Sequence, residues 1–205
     1  MKFPKLRELG EAIKALIKGP YTTKFPAKPA QIDPNFRGKV MYNEKICVGC
    51  GACAEVCPAN AIDVTDDAKT KKRCIVHHYD MCIFCGQCHA NCPPVDGIVL
   101  TNEYDMAFLG DRDKQITGVE KELALCECCG EVITTVDHLR FLSKKLGALS
   151  YSNPNLILVN QDEMGLIEVK YEKEEIPHQR ANTMRVLCGK CRRKAALKEE
   201  WGEPK

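Results

Sequence analysis

The chain has 205 residues, with 30 Lys and Arg against 28 Asp and Glu and a formal net charge of +2. That near-neutral balance gives no electrostatic footprint for nucleic acid, and 44% hydrophobic with 28% charged residues suits one large or two small globular domains. No apolar run approaches the ~20 residues needed to span a bilayer, and the fourteen cysteines lie in a chain too long for a typical disulfide scaffold, with no secretory leader expected at its start.

Residues 1–18 read as an amphipathic helix, because Phe3, Leu6, Leu9, Ile13, Leu16 and Ile17 recur at helical spacing. Lys2, Lys5, Arg7, Lys14 and Lys18 fall mostly on other faces, and Gly19-Pro20 ends the element. A basic face opposite an apolar stripe fits a helix lying at a membrane surface. It fits equally a helix packed on its own domain or on another protein. Glu8 and Glu11 argue against a mitochondrial transit peptide. Residues 20–40 carry Pro20, Pro26, Pro29 and Pro34 without helical period, so an extended arm is expected there.

Residues 41–104 contain an internal repeat. Cys47, Cys50, Cys53 and Cys57 are followed by Pro58, and Cys82, Cys85, Cys88 and Cys92 by Pro93. Each half predicts a cysteine loop, a short helix and a strand, the strands near Ala61–Val64 and Ile98–Leu100, with 65–73 as an exposed connection. The run with its trailing proline is the two-cluster ferredoxin signature, in which the fourth cysteine of each run serves the other cubane. One [4Fe–4S] cluster is therefore assigned to Cys47, Cys50, Cys53 and Cys92. The second takes Cys82, Cys85, Cys88 and Cys57. Gly49, Gly51 and Gly86 should let the backbone curl so that its N–H groups face the sulfurs. Zinc is the weaker reading here, because zinc sites show paired C-x2-C knuckles rather than two four-cysteine runs ending in proline. Cys74 reads as a small buried hydrophobe, and His89 as a polar neighbour of a cluster without a redox role. His77, His78, His138 and His178 show no mutual ligand spacing and read as ordinary packing or surface residues.

Residues 105–205 follow a different rule. The knuckles Cys126-x2-Cys129-Gly130 and Cys188-x2-Cys191 supply four thiolates, the donor set of one structural zinc. Cys128 is a fifth thiol that could replace Cys126 or Cys129, and a third iron–sulfur cluster or a metal-free region are the alternatives. Val136, Leu139, Leu142 and Leu146 mark a helix closed by Gly147. Ser152–Asn155 reads as a turn, Leu156–Val159 as a strand, and the stretch from Arg192 onward as a charged helix with a frayed end. No phosphate loop, nucleophile elbow or flavin fingerprint is present. The expected fold class is α+β: an N-terminal amphipathic helix and arm (1–40), a two-cluster bacterial ferredoxin-like domain (41–104) and a C-terminal four-cysteine zinc-binding region (105–205).

The match extends beyond the cysteines. Gly19-Pro20-Tyr21-Thr22, Phe25-Pro26 and Phe36-Arg37-Gly38 ahead of the first run resemble the eight-iron ferredoxin-type subunit of respiratory complex I. The same subunit recurs in membrane-bound hydrogenases, formate hydrogenlyases and sulfur-reducing membrane complexes. The resemblance covers residues 1–104. It implies a peripheral subunit at the cytoplasmic face of the cell membrane, with the N-terminal helix against membrane subunits and the arm along its neighbours. Its two clusters would pass electrons, by way of a neighbouring iron–sulfur subunit, toward the large catalytic subunit. The second run departs from the pattern, since Cys92-Pro93-Pro94-Val95-Asp96-Gly97-Ile98 is one residue longer than Cys57–Ile62. The region after 104 resembles extensions in the hydrogenlyase and membrane-hydrogenase relatives and favours that branch. A soluble ferredoxin, or an accessory or assembly protein with structural clusters, are the competing readings.

Overall fold

A computed structural model describes residues 5–19, 21–22, 24–111 and 115–197. The chain divides into two units, 1–36 and 37–205.

In the first unit, helix α1 spans Leu6–Lys18. Its start is held by the Glu8 carboxylate, which accepts from the Lys5 N–H at 3.0 Å, and Gly19 closes it with φ +76°. Every residue of α1 is solvent-accessible. The apolar stripe Leu6, Leu9, Ile13, Leu16 and Ile17 is exposed along its whole length. Phe3, Lys2 and Pro20 lie outside the described residues. The arm has no strand or helix among its described residues before Val40, which opens the first strand. Asp33 makes a local turn by accepting from the Asn35 N–H at 2.8 Å.

The second unit begins with the two repeats. Strand β1 (Val40–Tyr42), helix α2 (Ala52–Glu55), strands β2 (Ile62–Asp67) and β3 (Lys72–His78), helix α3 (Gln87–Ala90) and strand β4 (Ile98–Leu100) follow in order. β1 pairs antiparallel with β4, Val40 opposite Leu100. Gly51 and Gly86 sit at φ +80° and +77° immediately before α2 and α3. The repeat thus holds in the backbone, and it holds where the residue types differ. Gly49 and Phe84, each two residues after the first cysteine of its run, both have positive φ. So do Asn60 and Asp96, each two residues before the strand that follows. The extra residue of the second half is therefore absorbed between Cys92 and Asp96, and the chain regains register at Ile98. Val40, Ile62, Ile75, Tyr79, Cys88, Ile98 and Val119 form the core between the halves.

The stretch 65–73 is more ordered than its polarity predicts. Thr65–Asp67 belong to β2 and Lys72–Arg73 to β3, leaving a tight hairpin turn with Lys71 at φ +54°. Asp66 and Arg73 face each other across the hairpin in a bidentate pair at 2.7 Å. β3 then pairs with β5 (Ile116–Leu125), and β5 with β6 (Val132–Thr135), so one antiparallel sheet of order β2-β3-β5-β6 runs through position 104 and joins the cysteine runs to the knuckle region. Gly118 permits the β3–β5 approach, because a Cβ there would lie 2.5 Å from the Ile75 carbonyl oxygen.

Helix α4 (Val136–Leu146) starts on Thr135, whose hydroxyl accepts from the His138 N–H, and closes at Gly147. A 3₁₀ segment over Gly147–Ser152 leads into helix α5 (Pro154–Glu163). The strand expected at Leu156–Val159 is therefore a helix. Asn153 caps it through the Asn155 N–H at 3.0 Å, and Pro154 occupies the first turn, where its missing N–H costs nothing. Leu156 and Val159, three apart, bury one helical face against Ala124, Val136 and Leu139. Helix α6 (Gly189–Leu197) follows a second 3₁₀ segment at Arg180–Met184. Residues 198–205 of the expected terminal helix lie outside the described residues.

Candidate metal centres

Six of the eight run cysteines, Cys47, Cys53, Cys57, Cys82, Cys88 and Cys92, belong to or pack against the first core. Burial pushes the Cys53 and Cys88 thiols up to about 12 and about 11. It also raises Cys47, Cys82 and Cys92. Thiolates so placed need a bound cation to form. The neighbours of each thiol are informative. After burial, Cys92 is raised by Cys50 and Cys47 of the other run. Cys82 lies in the field of Cys57 as well as Cys85. Cys92 of the second run thus lies near Cys47 and Cys50 of the first, and Cys57 of the first near Cys82 of the second. Cys53 and Cys88 are in turn each other's neighbours across the pair.

Backbone N–H groups turn toward these sulfurs. Ala61 donates to Cys57 Sγ at 3.3 Å and Phe84 to Cys82 Sγ at 3.4 Å. The N–H of Gly49 favours the Cys47 thiolate, and those of Ile98 and Gly97 favour Cys92. Space is tight in these cradles, since a Cβ on Gly97 would stand 2.9 Å from Cys92 Sγ. Curled, donor-rich, thiol-lined loops on both sides of a small core fit a pair of cubane clusters.

Several side chains outside the cysteine runs, and one within them, hold these loops. Arg37 donates to the Cys85 carbonyl at 2.8 Å. Arg73 donates to the Gly49 carbonyl at 2.9 Å while paired with Asp66. Thr135 donates to the Val48 carbonyl. Lys121 donates to the Glu44 carbonyl at 2.6 Å and to Asp137 at 2.9 Å. Tyr42 places its hydroxyl 4.0 Å from Cys53 Sγ, and burial followed by the Cys53 charge drives its pKa up. His89 lies in the second loop and pairs its Nδ1 with the Ile98 carbonyl at 2.7 Å. Cys74, expected to be buried, is partly exposed on β3 opposite Glu120.

The second centre is closed across 62 residues of chain, where the Cys188 N–H donates to Cys126 Sγ at 3.3 Å. The sulfurs of Cys126, Cys129, Cys188 and Cys191 all lie within 4.8 Å of one another. The Cys129–Cys188 separation is 3.8 Å, the edge of a tetrahedron built on metal–sulfur bonds of about 2.3 Å. The donor set and the spacing fit one tetrahedral ion. Glu127 and Asn155 align the knuckles. The Glu127 carboxylate accepts from the Val186 N–H at 3.2 Å, and Asn155 exchanges two bonds with the Leu187 backbone. The buried Cys126 thiol is nonetheless lowered to about 7 by the N–H groups of Cys129, Cys188 and Cys128. Cys128 is not one of those four, and its Sγ is 3.3 Å from His178 Nε2. The spacing of the histidines gave no sign of that pairing.

Comparison with known proteins agrees with the loops. Residues 46–95 match the family model of the 4Fe-4S dicluster domain. The NADH-quinone oxidoreductase subunit I 2 of Geobacter metallireducens is 36% identical over 114 residues, which is 52% of this chain and 87% of that protein. The chain belongs to the NADH-quinone oxidoreductase subunit I family. Another subunit I, from Carboxydothermus hydrogenoformans, is 30% identical over 86% of its length. Formate hydrogenlyase subunit 6 of Escherichia coli is 38% identical over 118 residues, and this subunit I relative spans 63% of its length. Among solved structures, a chain of the membrane-bound sulfane sulfur reductase, an archaeal respiratory membrane complex, aligns with TM-score 0.40 and 28% identity over 56% of this chain and 61% of that one. This chain is itself of mixed helix and sheet, and its residues 46–95 are a 4Fe-4S domain. No helix among the described residues is long and apolar enough to cross a membrane.

Proposed function

We propose that this chain relays electrons within a complex I-like membrane assembly of the hydrogenase, formate hydrogenlyase or sulfur-reducing type, and makes or breaks no substrate bond itself. One [4Fe–4S] cluster would sit on Cys47, Cys50, Cys53 and Cys92 and the other on Cys82, Cys85, Cys88 and Cys57. The observation that supports this reading is that Cys92 lies near Cys47 and Cys50, and Cys57 near Cys82. When bound, a cubane cluster takes up and releases one electron at a potential set by charge, hydrogen bonds and solvent. The chain's own contribution is to hold the eight thiols on loops pinned by Arg37, Arg73 and Thr135. It also aims N–H donors at the sulfurs, which stabilises their negative charge, and ties the two halves so closely that charge has a short path between them.

The remaining parts have places in the same reading. Residues 41–104 carry the clusters. Residues 105–205 buttress them, with one structural zinc on Cys126, Cys129, Cys188 and Cys191. Residues 1–40 serve as anchor and arm, with α1 against membrane subunits at the cytoplasmic face. The partners would be a neighbouring iron–sulfur subunit and the large catalytic subunit. The exposed stripe of α1 and the subunit names of the relatives support this assignment.

Counting iron and sulfide in the purified full chain tests it. About eight irons per chain are expected from two four-iron clusters. Cys53→Ala should lose about half of that iron and stop electron flow through the parent assembly. Unchanged iron in the variant, or unchanged flux, would overturn the relay.

A further inference from the structure

Cys128 lies inside the first knuckle yet outside its four-thiol set. Its sulfur meets His178 Nε2 at 3.3 Å, across 50 residues of chain. These two atoms and the Cys191 sulfur all lie within 4.8 Å of one another. Cys191 is therefore a corner of two donor sets, one of four sulfurs and one of two sulfurs and an imidazole nitrogen. The Cys128–His178 separation is that of two ligands on one ion. Metal–sulfur bonds of about 2.3 Å and metal–nitrogen bonds of about 2.0–2.1 Å give a tetrahedral edge of roughly 3.6 Å, close to the Cys128–His178 distance. His178 also lines an open cleft of about 750 Å³ with Lys190, Arg193, Lys194 and Leu197 of α6.

We infer that the chain binds a second divalent ion at Cys128, His178 and Cys191, with the Cys191 sulfur bridging it to the four-thiolate site. This rests on that site as proposed above, because Cys191 serves both. Two thiolates and an imidazole leave a tetrahedral ion one position short, as in zinc sites that keep a place for water or substrate. The cleft beside His178 supplies the fourth ligand, water or a small anion, and Arg193 and Lys194 favour the anion, Lys190 being paired with Glu131 at 3.1 Å. Charge also argues for the second ion. A divalent ion among four thiolates carries a formal −2 in a pocket walled by Leu187 and Ala195. A second divalent ion, with one added thiolate and a neutral imidazole, brings the pair to −1. Binding releases the Cys128 thiol proton to solvent, while His178 ligates through Nε2 and keeps its hydrogen on Nδ1. Soft thiolate and imidazole donors select zinc over magnesium or calcium.

The test uses the full iron-loaded chain, saturated with zinc and freed of loose metal by gel filtration. Zinc per chain is counted by mass spectrometry, and its ligands are read by zinc-edge X-ray absorption. Two zinc ions are expected, with one imidazole among otherwise sulfur-rich shells. Cys128→Ser and His178→Ala should each lower the count to one, with an all-sulfur shell and unchanged iron. A single all-sulfur zinc that both variants retain would overturn the second position and leave the first standing. So would a single zinc whose shell already contains the imidazole. Absence of zinc, or a count that Cys129→Ser leaves untouched, would overturn both.

Discussion

Gly38 and Arg37 explain at the level of single residues why an arm motif precedes the first cysteine run. A Cβ on Gly38 would lie 2.2 Å from the Glu103 carbonyl oxygen and 2.6 Å from that of Thr101. Both obstacles are backbone, so neither can swing aside. Gly38→Ala should cost about 1–3 kcal/mol as overpacking, read as a lower midpoint of chemical unfolding in the iron-loaded chain. Arg73 makes a different kind of contribution. It is the cation nearest the Gly49 carbonyl, and its charge is felt at Cys50. A positive charge favours the reduced, more negative cluster. Arg73→Met should therefore lower the potential of the cluster assigned to the Cys47 run by some tens of millivolts, on the order of 1 kcal/mol at protein dielectric. An electron paramagnetic redox titration reads that shift, and an unchanged potential would refute the role. His77 adds a pH dependence. Burial, then His78, pulls its pKa from 6.5 down to about 4. The unfolded chain takes up this proton near pH 6.5 and the folded chain only near pH 4. Stability from this residue is thus complete above pH 6.5 and declines as pH falls toward 4. His77→Phe should flatten that decline, by up to about 3 kcal/mol, when unfolding midpoints of the two proteins are compared across the window.

Among the elements, the turn from β6 into α4 couples the knuckle region to the first cysteine loop. Thr135 is fully buried. Its hydroxyl both donates to the Val48 carbonyl and accepts from the His138 N–H at 3.3 Å. One oxygen is thus a helix cap and a loop clamp. Thr135→Val keeps the shape and removes both bonds, at about 1–3 kcal/mol for the cap and the orphaned carbonyl together. Amide hydrogen exchange should quicken in residues 48–51 and in the first turn of α4, and in few other places. Exchange that rises evenly over the second unit would instead mean a general loss of stability. This clamp also marks the limit of what the sequence discloses. The cysteine loops, α2, α3, β2 and β4 were legible because eight thiols at fixed spacing leave the backbone few choices. β3 and β5 were not, because Lys72, Arg73, Glu120, Lys121 and Glu122 break their apolar alternation with cross-strand charge pairs. α5 was misread because Leu156–Val159 is a short apolar run whose period is ambiguous, and because Asn153-Pro154 starts a helix as readily as it makes a turn. The Thr135–Val48, Arg37–Cys85 and Cys128–His178 contacts join residues far apart in the chain, and no local pattern announces them.

For the molecule as a whole, the chain divides after residue 36, and on the function proposed above that division separates what the clusters need from what the assembly needs. Arg37 and Gly38 belong to the second unit, where Arg37 holds the Cys85 carbonyl and the Gly38 N–H donates to the Thr101 carbonyl just past β4. The first unit offers instead an unburied apolar stripe, with Leu6 and Leu16 more than four-fifths exposed. Covering one such side chain contributes about 1.5–3 kcal/mol, and five along one helical face form a surface that water alone solvates poorly. A cut before Arg37 is therefore the informative one, since a deeper cut would remove Gly38 and damage the cluster fold directly. The chain lacking residues 1–36 should keep its iron content and its unfolding midpoint. It should also stay dispersed at concentrations where the full chain associates, and fail to copurify with the membrane subunits of the parent assembly. If the shortened chain loses iron, the boundary is misplaced. If it keeps iron and still enters the assembly with full electron flux, the stripe on α1 is not what docks the subunit, and the anchoring role assigned to residues 1–40 falls while the relay through the cysteine runs stands.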